Sequence, residues 1–126
     1  MKAKKIIPLF FVLFTLLFYA CKKDKTTATA FTYEGSWTVT YNFTTGSMAK
    51  GTFKATLKAN GNWDYAEGSF SKTDAGTWTS SGNTMSFQFN FSGLAKYTGI
   101  KISDNSLSGT AVADGGTSTG TWTATR

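Results

Sequence analysis

Alternation of apolar and polar side chains is the dominant pattern along this chain. Trp37, Val39, Tyr41 and Phe43 fall on one side of a period-two run, with Ser36, Thr38, Thr40 and Asn42 on the other. Phe53, Ala55 and Leu57 alternate with Thr52, Lys54, Thr56 and Lys58, and Met85, Phe87, Phe89 and Phe91 alternate with Thr84, Ser86, Gln88 and Asn90. Successive side chains of a strand point to opposite faces, so this period predicts half-buried β-strands. Turn-forming residues punctuate the runs at Thr45-Gly46, Asn60-Gly61, Lys72-Thr73-Asp74, Gly82-Asn83, Ser92-Gly93, Asp104-Asn105 and Gly115-Gly116. Asn60-Gly61 is the strongest signal, because a type I′ hairpin needs positive φ at both central residues. The turns divide the chain into eight strands, at about 35–43, 49–58, 62–70, 75–81, 84–91, 95–103, 106–113 and 118–126.

Strands this short and closely linked make an all-β antiparallel meander. An open sheet would leave two edges with unpaired backbone groups, and the segment from residue 33 onward contains no proline and few solvent-face lysines to guard them. Closure into an eight-stranded antiparallel up-and-down β-barrel removes both edges. Two packed four-stranded sheets are the other arrangement the pattern allows.

The N-terminus departs from this pattern. Met1-Lys2-Ala3-Lys4-Lys5 is basic, and Ile6 to Ala20 is an uncharged stretch of 15 residues ending in Leu17-Phe18-Tyr19-Ala20 before Cys21, the only cysteine. A membrane-crossing helix needs about 20 apolar residues, so 1–20 reads as a signal-peptide helix. A small residue directly before a lone cysteine resembles the lipobox of bacterial lipoproteins, with aromatic Phe18 and Tyr19 standing where smaller side chains are usual. That resemblance implies cleavage before Cys21 and acylation of its thiol. It also implies attachment to a membrane of the bacterial cell envelope, the Lys-rich start favouring the outer membrane. An ordinary secreted protein with an incidental cysteine is the alternative. Residues 21–32, polar and small with no helical period, read as a flexible lipid-anchored tether, leaving 33–126 as the barrel domain.

Charge adds little beyond this. The net +6 falls to +3 once Lys2, Lys4 and Lys5 are removed, since ten basic residues then face seven acidic ones. Lys22, Lys23 and Lys25 sit beside the expected lipid, suited to anionic headgroups. No basic stripe interleaved with aromatics marks a nucleic-acid surface.

A Gly-x-Trp unit occurs at Gly35-Ser36-Trp37, Gly61-Asn62-Trp63, Gly76-Thr77-Trp78 and Gly120-Thr121-Trp122. Taken alone, each is a relaxed strand start followed by an interior indole. The first opens the first strand, and there the chain resembles the calycin group, the lipocalins and their relatives. Those barrels begin with Gly-x-Trp and carry a late basic residue that packs across the Trp and closes one end. The matching positions are Gly35, Trp37 and Arg126, the only arginine. The resemblance implies a lipocalin-like barrel binding a small apolar or aromatic ligand. The domain is shorter than typical lipocalins and lacks a disulfide and a helix after the barrel. Avidin-like proteins share strand number and tryptophan richness, but their polar ligand residues have no counterparts here, so biotin binding is not implied.

Catalytic chemistry is sparse. Histidine is absent, which removes the usual general base and the commonest metal ligand, and no second cysteine exists for a zinc site. Asp64 and Glu67 lie three apart, on opposite faces of a strand. Gly116-Thr117-Ser118-Thr119-Gly120 fits the serine-hydrolase elbow, but that elbow needs a strand-to-helix turn and a histidine. The chain is therefore expected not to be an enzyme and to need no cofactor or metal.

An eight-stranded barrel is just wide enough to fill with side chains or to hold one small ligand. The fifth strand is bulky inside, whereas the seventh and eighth offer Leu107, Gly109, Ala111, Ala113, Gly120, Trp122 and Ala124. Large against small either packs solid or leaves a cleft against the last two strands, walled by Trp63, Trp78 and Tyr97. Trp63, Trp78, Phe87, Tyr97 and Trp122 are the candidate ligand-binding residues. A solid barrel would instead serve as a protein-interaction, inhibitor or assembly module of the envelope.

Overall fold

A computed structural model describes residues 30–47, 49–91 and 94–126. The leader read over 1–20, Cys21, tether residues 22–29 and the turn Ser92-Gly93 lie outside the described residues. Eight strands succeed one another: β1 (Gly35–Phe43), β2 (Lys50–Leu57), β3 (Asn62–Glu67), β4 (Phe70–Ser81), β5 (Thr84–Phe89), β6 (Lys96–Ser103), β7 (Ser106–Ala113) and β8 (Ser118–Thr125). Each pairs antiparallel with the next, and β8 returns to β1 from Thr38↔Thr125 to Phe43↔Gly120. The sheet is a closed barrel, not a sandwich.

Alternation assigns the two faces. In β1, Trp37, Val39 and Phe43 are buried while Ser36, Thr38 and Thr40 face water. Hydroxyls dominate the outside and pair across strands, Thr40 with Thr52 at 3.2 Å and Ser36 with Thr56 at 3.0 Å. β-branched threonine suits an exposed strand, and its hydroxyl keeps the outer wall wet.

The β3–β4 hairpin turns earlier than its sequence suggests. The expected turn at Lys72-Thr73-Asp74 lies within β4, and the chain reverses at Gly68-Ser69 instead. Between the pairs Trp63↔Gly76 and Tyr65↔Lys72, β4 carries extra residues as a bulge. Asp74 adopts φ 50 there, the left-handed conformation that made this stretch look like a turn. The Asp74 N–H donates to Asp64 Oδ1 at 2.8 Å, and Lys58 Nζ bridges Asp64 at 2.8 Å and Asp74 at 2.5 Å. As a result β3 and the start of β4 stay paired past the bulge as a short ribbon, from Tyr65↔Lys72 to Glu67↔Phe70.

One end of the barrel is capped by the chain termini of the domain. Tyr33 donates its hydroxyl proton to the Gly82 carbonyl at 3.0 Å, and Trp37 Nε1 donates to the Tyr33 carbonyl at 2.8 Å. Phe31 and Thr32, assigned to the tether because of their small polar neighbours, also dock on the barrel. The Phe31 ring lies 3.9 Å from Lys101 Nζ, and Arg126 Nη1 donates to the Thr32 carbonyl at 3.0 Å. The packed unit begins at Phe31.

Candidate functional site

The lower half of the barrel, beside the cap, is filled. Trp122 lies against β6 and β7, where Nε1 donates to the carbonyls of Thr98 at 3.2 Å and Thr110 at 3.0 Å. Glycine makes that contact possible: a Cβ at Gly99 would sit 2.6 Å from Trp122 Cζ2. Trp63 repeats the device over Gly76, donating to the Gln88 carbonyl at 2.9 Å. A void of only about 10 Å³ remains among Trp37, Met85, Phe87, Leu107 and Trp122. That is space for one water at most, between apolar walls that offer it no partner.

The upper half is hollow. At the end opposite the cap, a cavity of about 290 Å³ opens between β1 and β6. Its wall is built from Tyr41 of β1, Phe53 of β2, Tyr65 of β3, Ala75 of β4, Phe89 of β5 and Tyr97 of β6. Phe70 and Lys72 come from the short β3–β4 ribbon, and Phe91, Leu94 and Ala95 from the β5–β6 connection. Phe53 is the hub, with ring centroids of Tyr65 at 5.1 Å, Tyr97 at 5.7 Å, Tyr41 at 5.9 Å and Phe89 at 6.4 Å. Beneath it, Phe87 and Tyr97 stack at 4.6 Å with nearly parallel planes. At the rim, Phe70 is 61% exposed, Phe91 51% and Leu94 45%.

Polar groups at this end are few. Tyr65 donates its hydroxyl to the Glu67 carboxylate, and burial followed by that bond pushes the phenol pKa up. Burial raises Tyr97 and Tyr41 as well, with the neighbouring carboxylate of Glu67 adding to both. All three phenols therefore stay protonated in neutral water and remain donors. Lys72 Nζ lies 5.2 Å from the Phe91 ring centroid, the sole cation in the lining.

The residues singled out from the sequence scatter around this cup. Tyr97 lines it. Phe87 lies one layer down under Tyr97, and Trp63 packs its edge on Phe89 at 4.8 Å. Trp122 belongs to the filled half. Trp78 is half-buried and donates its indole N–H to the Lys58 carbonyl at the β2–β3 turn. Of the two arrangements the sequence left open against β7 and β8, the described residues show packing rather than a cleft, because Trp122 itself occupies the room left by Gly99. Tyr41, Phe53, Tyr65, Phe70, Lys72 and Phe89 were not identified as ligand residues. Phe53 and Phe89 carried a signal, as bulky inward positions of clean alternation. For Tyr65, Phe70 and Lys72 the bulge in β4 hides the face they share.

At the capped end, the Arg126 guanidinium lies 4.4 Å from the Trp37 ring centroid and 5.1 Å from that of Phe31. Gly35 opens β1 at φ +115, a conformation side chains rarely adopt. No protein-family model, curated protein or solved structure matches this chain.

Proposed function

We propose that this chain is a lipid-anchored lipoprotein of a bacterial cell envelope, held at its outer membrane. Its lipocalin-like barrel binds a small apolar or aromatic ligand without transforming it. The aromatic cup carries this reading. A volume of about 290 Å³ is close to the lower limit of small-molecule sites, and an apolar cavity of about 150 Å³ accommodates benzene. The cup thus suits a ligand of one or two rings. The leader, with Ala20-Cys21 at its end, supports acylation at Cys21, and two or three acyl chains would hold the protein firmly on the membrane.

A neutral fluorophore such as N-phenyl-1-naphthylamine should bind with one-to-one saturation. Ala95→Phe, which fills the cup from the β6 side, should abolish binding while leaving the far-ultraviolet circular dichroism intact. Equal binding by the filled variant would sink the reading. For the anchor, Cys21→Ser should lose metabolic labelling by a fatty acid and leave the membrane fraction.

The exposed rim favours a second reading, in which Phe70, Phe91 and Leu94 dock an envelope protein. Phe70→Ser with Phe91→Ser would then lose the partner while the fluorophore still bound.

A further inference from the structure

The cup has two polar features that a purely apolar ligand leaves idle. Lys72 is the first. Lys58 pairs with Asp64 and Asp74, and Lys101 with Asp104, yet Lys72 pairs with no carboxylate among the described residues. Asp74, the carboxylate nearest in sequence, pairs with Lys58, and Glu67 accepts from Tyr65. The second is Tyr97, only 2% exposed, whose hydroxyl makes no hydrogen bond with any described residue. No fully buried polar side-chain atom lacks a partner among those residues, so this hydroxyl meets the cavity rather than the packed wall. A buried donor of this kind gains most from an acceptor brought in by a ligand.

We infer that the cup selects a small aryl acid of about two rings: its carboxylate meets Lys72 at the rim, and an oxygen on its far ring accepts from the Tyr97 hydroxyl. The inference rests on the reading of the cup as a ligand site and adds the head group and its orientation. The rings lie against Phe53 and Phe89, which the cavity already exposes. An organic cation is the converse possibility for a ring-lined mouth. Here the lining already holds a lysine ammonium, over Phe91, which repels a second positive charge.

The test compares 2-naphthol, 2-naphthoate, 6-hydroxy-2-naphthoate and a trimethylammonium naphthalene, by displacement of the neutral fluorophore from the soluble domain and from the full chain. The hydroxy acid should bind tightest. Lys72→Met should weaken both acids about two- to fivefold and spare 2-naphthol, in line with an exposed ion pair, and added salt should mimic it. Tyr97→Phe should weaken the two hydroxyl-bearing compounds and spare 2-naphthoate. Acids that bind no tighter than 2-naphthol, or that ignore Lys72→Met, overturn the head-group assignment while the apolar cup stands. A preference for the cation does the same. Loss of discrimination at Tyr97 overturns the orientation, and failure of every compound together with the fluorophore overturns the cup itself.

Discussion

Removing Arg126 should loosen the capped end of the barrel without touching the cup. Its Nε donates to the Asp104 carbonyl at 2.9 Å, and Nη1 donates to Thr32 at 3.0 Å and Glu34 at 3.2 Å. Those carbonyls belong to the β6–β7 turn and to the segment leading into β1, so one side chain joins two stretches that strand pairing leaves apart. Stacking over Trp37 at 4.4 Å contributes about 0.5–1 kcal/mol at an exposed site. Each bond to a carbonyl that water can re-satisfy contributes about 0.5–1 kcal/mol. Together they make Arg126→Ala cost about 2–4 kcal/mol. A domain of this size holds about 5–14 kcal/mol in all, and its melting point should fall by roughly 10–30 °C. Arg126→Lys keeps the charge but cannot fork to several carbonyls while lying flat on an indole, so it should recover less than half of the loss. Urea unfolding followed by tryptophan emission measures both variants, with the fluorophore reporting an unchanged cup. A lysine variant as stable as the wild type, or an alanine variant within about 0.5 kcal/mol of it, would refute the account of the cap.

Three further outcomes follow from the geometry. A Cβ at Gly51 would lie 2.5 Å from the Tyr41 hydroxyl oxygen, so Gly51→Ala should push that ring into the cup. The expected result is weaker fluorophore binding with little change in urea midpoint; unchanged binding would show that Tyr41 has room elsewhere. Asp114 accepts from Ser118 at 2.5 Å and Ser47 at 2.9 Å, and these bonds hold its pKa below the usual value of 3.8. Its contribution is full above that value and is lost as pH falls through the lower folded-state pKa, so Asp114→Asn should be less stable than wild type at pH 7, with the gap closing in acid. A gap independent of pH would contradict the charge-selective role of the two serines. Tyr65 and Tyr97 have raised pKa values, so what they contribute persists below pH 10 and is lost as pH rises beyond it. Absorbance titration near 295 nm of Tyr65→Phe and Tyr97→Phe should lack a phenol that ionises only late, with unfolding; ionisation at the ordinary value would refute their burial.

How much of this could be read from the sequence depends on how local each signal is. Clean alternation in β1, β2 and β5 placed Trp37, Phe53 and Phe87 inside, because a period of two needs only neighbouring residues. Regular turn spacing gave strand number, and the energetic weakness of open edges gave closure. The β3–β4 register was not legible. Asp74 at positive φ is the chemistry of a turn and of a bulge alike, and only the partner strand decides between them. That single ambiguity concealed the face of Phe70 and Lys72, and with it the rim. The location of the hollow was equally hidden. The missing side chain at Gly99 suggests empty space when β6 is considered alone, and becomes a socket only when the Trp122 ring is laid against it.

The contrast between the two halves of the interior comes from the direction in which large rings lie rather than from how many there are. In the lower half, glycines on neighbouring strands let the Trp122 indole lie over β7 and β6, its N–H bonded to the carbonyls of Thr110 and Thr98. Trp63 likewise lies over Gly76 of β4 and bonds to Gln88 of β5. An indole fixed in this way fills the space along its own wall, and only about 10 Å³ remains beside Trp122. In the upper half the rings are tyrosines and phenylalanines whose tips are drawn to the wall or the mouth: Tyr41 lies over Gly51, and Tyr65 reaches along its own strand to Glu67. No indole lines that half among the described residues, and the rings stay tilted or edge-on around Phe53. Larger side chains at Ala75 and Ala95 would fill the gap, yet both positions carry only a methyl group. A core optimised for packing alone would not leave this gap, since dense interiors gain dispersion energy from every contact that a void forfeits. The aromatic lining is therefore left with unmet contacts, which the proposed ligand would satisfy.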